Sequence, residues 1–343
     1  VKHFLARVYG ALLYLRNAVY DKSLTRIHRV SVPVLSVGNI TVGGTGKTPT
    51  VERLLEHFLK QHLKPAVVTR GYARDSRGTV VVSNGDGNII SVEMGGDEAV
   101  QIARKFPAAV VVADERRSRG CLRAVRDFGV DCIILDDAFQ HRAMHRDIDI
   151  VVLDAMEGIH GQRLLPAGRL REPLYNLRRA HIILLNRCEP ELQQEKIIAE
   201  LHAYASAPLF RTRFLPRCLR KLHDNAEYPR DHLAGRALIS FCGIGAPASF
   251  QRTVSMLGVN SLAHTDFPDH HRFTTSELAS LQRQAMNAGT DIVLTTEKDA
   301  SRLLQRTHVL DDLEVYYPEM RLEFLGAEEE ETRFFALLES GHR

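Results

Sequence analysis

The strongest chemical signal in the chain is Ser36-Val37-Gly38-Asn39-Ile40-Thr41-Val42-Gly43-Gly44-Thr45-Gly46-Lys47-Thr48. An apolar run enters a glycine-rich turn, and a helical pattern leaves it through Lys47-Thr48. Glycines let successive backbone N–H groups turn toward oxygen atoms. A helix N-terminus adds partial positive charge. A lysine in this place reaches the β- and γ-phosphates of a nucleotide, and a threonine hydroxyl sits on Mg²⁺. The expected nucleotide-binding set is Thr41, Val42, Gly43, Gly44, Thr45, Gly46, Lys47 and Thr48. Thr41 departs from the usual pattern, which has glycine there, and Gly43 and Gly44 inside the loop compensate.

Phosphate binding alone leaves kinase, GTPase, motor ATPase and switch open, and the carboxylates narrow the choice. Asp136 and Asp137 end the apolar run Cys132 to Leu135, where a carboxylate that orients Mg²⁺ or its water shell belongs. Asp97-Glu98 opens a helical segment after Gly95-Gly96, and on local pattern these acids read as helix-start residues. Asp136 to Arg142, which includes Gln140 and His141, is polar for a segment leaving a buried strand and reads as a loop over the active site. Leu164 to Pro173 is a second such loop, with Arg169, Arg171 and Glu172 between prolines. Arginines of this kind bind phosphate or stabilise charge on a transferring phosphoryl group. No guanine-reading element follows a suitable strand; Thr296-Glu297-Lys298-Asp299 comes nearest and lies far downstream.

These residues need a scaffold, and the chain alternates short β-branched runs with helical patterns. Strands are expected at Pro33–Val37, Ala66–Thr69, Ala109–Ala113, Cys132–Leu135, Ile148–Leu153 and Ile182–Leu185, with a hairpin around residues 84–87. Helices are expected at Lys47–Gln61, Asp97–Lys105, Arg116–Phe128 and Pro190–Tyr204. This rhythm predicts an α/β fold of the P-loop type, a mostly parallel sheet with helices on both faces. A second set of elements, strands near 237–241 and 292–295 with helices at 248–257 and 276–288, predicts a smaller α/β domain. The expected division is an N-terminal helix at 1–30, a kinase domain at 31–212, a linker at 213–230 and the smaller domain at 231–343, whose last helix packs on either domain.

The length of 343 residues suits two domains, and 44% hydrophobic with 25% charged residues is ordinary for a globular chain. A net charge of +3 without a dense Lys/Arg stripe argues against nucleic acid. Five cysteines, an odd number without a CxxC pair, argue against a disulfide framework and against a zinc site. In residues 1–30, Phe4, Leu5, Val8, Tyr9, Leu12, Leu13 and Leu15 recur at roughly helical spacing among Lys and Arg. The segment is too short and too charged to span a bilayer, so it reads either as a helix on an anionic membrane surface or as an ordinary packing helix.

The motifs together resemble the tetraacyldisaccharide 4′-kinase family of lipid A biosynthesis. The resemblance rests on the phosphate loop, Thr69-Arg70-Gly71-Tyr72, Gly96-Asp97-Glu98, Asp136 to His141, Leu165 to Pro173, Phe241 to Gly245, Phe267-Pro268-Asp269-His270-His271 and Thr295 to Ala300, in family order over nearly the whole chain. Ala138 departs from it, because the family usually has glycine there. The resemblance implies transfer of the γ-phosphate of ATP, with Mg²⁺, to the 4′-hydroxyl of a tetraacyldisaccharide 1-phosphate. It implies a peripheral enzyme at the cytoplasmic face of the bacterial inner membrane, held by its N-terminal segment, with no obligate protein partner and two domains that close over the nucleotide. It implies Asp97 as general base, assisted by His270, with His271 the competing choice. It also points to Asp136, Asp137 and Glu172 for Mg²⁺, and to Arg169, Arg171, Gln140 and His141 for substrate or phosphate.

Overall fold

The apolar runs fold as buried strands because both faces of the sheet they form are covered. The computed structural model describes residues 1–72, 74–189, 194–269, 271–303, 310 and 312–340. The chain divides into two units, Val1–Arg213 with Leu322–Arg343, and Phe214–Arg321.

The first unit contains α1 (Lys2–Asp21), β1 (Val34–Gly38), α2 (Lys47–Lys60), β2 (Pro65–Thr69), β3 (Val80–Asn84), α3 (Val92–Gly95), α4 (Asp97–Lys105) and β4 (Val110–Ala113). It continues with α5 (Arg117–Phe128), β5 (Cys132–Asp136), β6 (Ile148–Asp154), β7 (Ile182–Asn186), α6 (Glu195–His202) and the start of β8 (Leu209–Lys221). Its strand order is β8-β7-β6-β1-β5-β2-β4-β3, parallel except for the β3–β4 pair. Every residue of β1, β2, β5, β6 and β7 is buried, which is why these strands read as mainly apolar runs. One face packs Val68, Val112, Ile133 and Leu135 against Cys121 and Ala124 of α5; another cluster gathers Ile40, Phe139, Val151 and Leu185. Each such side chain contributes roughly 1.5–3 kcal/mol on burial. The α/β class expected from the sequence is the class observed.

The second unit contains β9 (Glu227–Pro229), β10 (Ala237–Cys242), α7 (Pro247–Met256), β11 (Asn260–Asp266), α8 (Thr275–Asn287), β12 (Ile292–Leu294), α9 (Glu297–Leu303) and most of β13 (Glu314–Phe324). Strands β11, β10, β12 and β13 run parallel in that order. The last helix, α10 (Ala327–Ser340), belongs to the first unit.

Three differences from the sequence reading have physical causes. Residues 213–230, read there as a linker, carry β8 and β9, and the arginines that made the stretch look like a loop are paired: Arg217 and Arg220 both bind Glu319 of β13. The hairpin keeps its turn, but its second arm is reduced to a bridge between Ile89 and Ser83 before α3. Strand β11 was not anticipated, because only Leu262 and Ala263 in Asn260–Asp266 are apolar and its burial is slight. Part of the expected helix Pro190–Tyr204, residues 190–193, lies outside the described residues.

Candidate active site

β1 lies between β5 and β6, and its register sets Val37 beside Asp136. Parallel sheets bind ligands beyond the carboxyl ends of their strands, where neighbouring connections diverge. The glycine-rich loop leaves β1 at that point, and α2 begins at Lys47 with Gly46 as its cap in the left-handed region.

The loop is held from outside through its carbonyl groups. Arg169 donates from Nη2 to the Val42 carbonyl at 2.8 Å, Arg187 donates to that of Gly44 at 2.7 Å, and Asn186 Nδ2 donates to that of Thr45 at 2.9 Å. Arg169 lies so close to Gly43, whose φ is 118°, that a Cβ there would collide with its guanidinium. Thr41 pairs with Leu170, and the Val42 N–H donates to the Arg169 carbonyl. With these carbonyls engaged behind the loop, the N–H groups at the start of α2 have no intrahelical acceptor and are the natural donors to an anion. Thr45 is buried under Asn39, whose Nδ2 donates to its hydroxyl at 3.2 Å, and Gln140 donates to the Asn39 carbonyl at 2.8 Å.

The two neighbouring aspartates meet different surroundings. Asp137 has φ 48° and accepts two bonds from Arg171 Nη1, at 2.8 and 3.0 Å, while Lys47 Nζ lies 3.6 Å away. Burial opposes its ionisation, but Lys47 and Arg171 more than offset this and hold its carboxyl below the ordinary value. Asp136 accepts from Thr69 Oγ1 at 3.2 Å. Burial, then Glu98 and Asp137, push its carboxyl up to about 7 against the pull of Lys47 and Arg117. A buried carboxylate crowded by two others is a place where a divalent cation relieves repulsion. With the Thr48 hydroxyl at the helix start, the residues fit Mg²⁺.

The influence of Glu98 on Asp136 brings the start of α4 into the same neighbourhood. Gly96, at φ 89°, permits it: a Cβ there would stand 3.0 Å from the Tyr72 carbonyl oxygen. Asp97 and Glu98 are the first-turn acids of α4, and Gly96, without a side chain, is the cap. Ala138 fits without strain, since the positive φ in its loop falls on Asp137 and its methyl is buried.

Several expected residues stand elsewhere. Glu172 is fully buried, and its oxygens accept from Arg16 at 3.3 Å, Asn17 at 3.2 Å, Asn176 at 2.6 Å and Arg179 at 2.8 Å. That saturated carboxylate is a structural anchor and not a metal ligand. Arg169 grips the Val42 carbonyl and Glu157, and Arg171 grips Asp137, so both arginines brace the site where phosphate contacts were expected. His141 is held down to about 4 by burial and by Arg117, Arg146, Arg16 and Arg70, which leaves it neutral at pH 7. His271 contacts Glu277 at 3.0 Å and stacks on Phe267. His270 lies outside the described residues.

Sequence reasoning missed Arg117, Asn186 and Arg187. Arg117 is buried under Asp136 and donates to its carbonyl at 3.1 Å. Asn186-Arg187 closes the apolar strand β7 as Asp136-Asp137 closes β5, and that shared signal, a polar pair leaving an apolar run, would have found it.

The family profile described as Tetraacyldisaccharide-1-P 4′-kinase matches residues 3–339. The tetraacyldisaccharide 4′-kinase of Chlorobium phaeovibrioides is 40% identical over 303 residues, 88% of this chain and 85% of that relative. The enzyme of that name from Chlorobaculum parvum is 36% identical over 342 residues, 98% of this chain and 94% of the relative. Among solved structures, LpxK from Aquifex aeolicus in complex with ATP is 33% identical, covers 99% of this chain and 98% of its own, and superposes with a TM-score of 0.79.

Proposed function

The chain belongs to the tetraacyldisaccharide-1-P 4′-kinase family, and from that premise we propose how its own residues carry the reaction. It is an ATP-dependent kinase that moves the γ-phosphate of ATP to the 4′-hydroxyl of tetraacyldisaccharide 1-phosphate, a step of lipid A biosynthesis. The observation that carries the reading is the cluster of Lys47, Asp136 and Asp137 at the head of α2, with Glu98 beside it.

The loop from Thr41 to Thr48 binds the phosphates, with Lys47 against the β- and γ-phosphoryl oxygens. Thr48 and Asp136 would hold Mg²⁺, which when bound would supply charge neutralisation for phosphoryl transfer. Asp137 orients Lys47 and is itself fixed by Arg171 Nη1, which donates to both of its oxygens. Asp97 takes the proton of the 4′-hydroxyl as that oxygen bonds to phosphorus and ADP leaves. His270 assists it; the engagement of His271 with Glu277 supports this choice. Gln140, which donates to the Asn39 carbonyl, and the neutral His141 serve substrate or phosphate binding. The first unit is the nucleotide-binding domain.

The acceptor is a membrane lipid, and α1 suits that setting. No described helix is long and apolar enough to cross a membrane. Phe4, Leu5, Val8, Leu12, Leu15 and Val19 form one helical stripe, and all are exposed, Phe4 at 68% and Leu12 at 61%. Such a stripe beside basic residues favours an anionic bilayer surface, and we place the enzyme on the cytoplasmic face of the inner membrane. No nucleic acid or obligate protein partner is required.

Single-turnover transfer by Asp97→Asn tests the base assignment. The expected result is a rate lower by about 10²–10⁴-fold with ATP affinity unchanged. A loss below ten-fold would remove Asp97 from the proton transfer.

A further inference from the structure

The second unit holds a group of potential metal ligands that the kinase reaction does not use. β10 and β11 are adjacent and parallel, with Ser240 opposite His264 and Cys242 opposite Asp266. Residues two apart on a strand share a face, so these four side chains form a two-by-two array on one side of the sheet. Cys242 Sγ lies 3.9 Å from His264 Nε2 and 3.4 Å from Asp266 Oδ1, and Nε2 and Oδ1 are 2.9 Å apart. A tetrahedral zinc ion, with Zn–S about 2.3 Å and Zn–N or Zn–O about 2.0 Å, spaces such atoms about 3.3–3.6 Å apart. The array is within a few tenths of an ångström of that geometry before any ion is considered.

The surroundings suit a metal ion. His264 Nδ1 lies 2.7 Å from Ser240 Oγ. With Nδ1–H donating to the hydroxyl, Nε2 keeps its lone pair toward Cys242 and Asp266, which is the role of an outer-shell partner to a metal-bound histidine. Phe250 of α7 lies against the imidazole, with ring centroids 5.9 Å apart. Cys242 is buried while half of the Asp266 side chain is exposed, so the ion would have three protein ligands and one position open to solvent.

We propose that Cys242, His264 and Asp266 form a binding site for a thiophilic divalent cation of the zinc class. The sequence offered no CxxC pair to announce it, because the ligands come from two strands and the one bearing two of them is barely apolar. The ion would tie together the ends of β10 and β11, ahead of the Gly243–Gly245 turn and of Phe267-Pro268. The assignment stands independently of the kinase reading.

The test uses the purified full-length protein, stripped with chelator, in saturating Mg²⁺, titrated with Co²⁺ alone. The expected result is a thiolate-to-cobalt charge-transfer band in the near ultraviolet that saturates at one equivalent and is displaced by Zn²⁺. Cobalt on the oxygen ligands of the nucleotide site gives no such band. Cys242→Ser should abolish it, and Ser240→Ala should weaken Co²⁺ affinity by about 10–100-fold. His264→Gln, on an edge strand with the side chain 17% exposed, provides a second ligand variant if Cys242→Ser folds poorly by circular dichroism, and it should weaken Co²⁺ binding at least as much as Ser240→Ala does. No band in the unaltered protein, or a band unchanged in Cys242→Ser or His264→Gln, overturns the proposal.

Discussion

The phosphate loop and helix α1 belong to the same unit and are built on opposite rules. Around the loop, charged groups answer one another: Arg171 meets Asp137, Arg187 meets Asp154 and Arg169 meets Glu157. On α1 only Ala6, Leu13 and Asn17 are buried, and Phe4, Leu5, Val8, Leu12, Leu15 and Val19 are exposed. The first region is prepared for a multiply charged, water-soluble ligand and the second for an apolar surface. An enzyme that joins a nucleotide to a lipid needs both.

One short segment serves both regions. Arg171 holds Asp137 with its side chain, while its carbonyl accepts from Tyr9 of α1 at 2.9 Å. The next residue, Glu172, anchors Arg16 and Asn17 of the same helix. Geometry at the nucleotide site and the seating of α1 therefore share a strap two residues long.

The sharpest way to break the comparison is Glu172→Gln. It removes a buried charge bound to Arg16 and Arg179, and breaking such a pair costs about 3–5 kcal/mol. Urea unfolding should show that loss while Mg²⁺ affinity of the folded protein stays unchanged; weakened Mg²⁺ binding at unchanged stability would return Glu172 to the metal. A smaller effect is expected at the apolar surface. The double substitution Phe4→Ser with Leu12→Ser should lower binding to anionic vesicles by about ten-fold or more, given roughly 1.5–3 kcal/mol per large side chain buried, and leave ATP affinity intact. Vesicle binding that does not change would make α1 a packing helix only.

The smallest effect concerns Asp136. Its folded value is raised, so the stability tied to its protonated form is present at low pH and is lost as pH rises through about 7. Without Mg²⁺, Asp136→Asn should be more stable than the unaltered protein at pH 8, and the advantage should vanish near pH 4. The same variant should lose Mg²⁺-dependent transfer. A less stable variant at pH 8 would mean that the charge is compensated within the fold.

The sequence was most readable where burial dictates residue type. Strands covered on both faces announced themselves as Val and Ile runs, and the glycines of the loop marked its turn. Legibility failed where side chains answer partners far away in sequence. Arg169 and Arg171 looked like phosphate ligands because nothing local reveals that Val42 and Asp137 occupy them. Glu172 looked like a metal ligand because its partners in α1 are about 155 residues away. β8 looked like a linker because its arginines pair with Glu319 of β13. The Asp97 role came from family resemblance, since a first-turn acid on α4 satisfies local rules without any catalysis.

The most direct measurement incubates the protein with γ-labelled ATP, Mg²⁺ and tetraacyldisaccharide 1-phosphate in detergent micelles and follows label into the lipid. The account predicts labelled lipid from the unaltered protein and a loss of about 10²–10³-fold in Lys47→Ala, the scale of removing one group that stabilises transition-state charge. A folded, ATP-binding protein that leaves the lipid unlabelled, or a Lys47→Ala variant that labels it at the original rate, would contradict it.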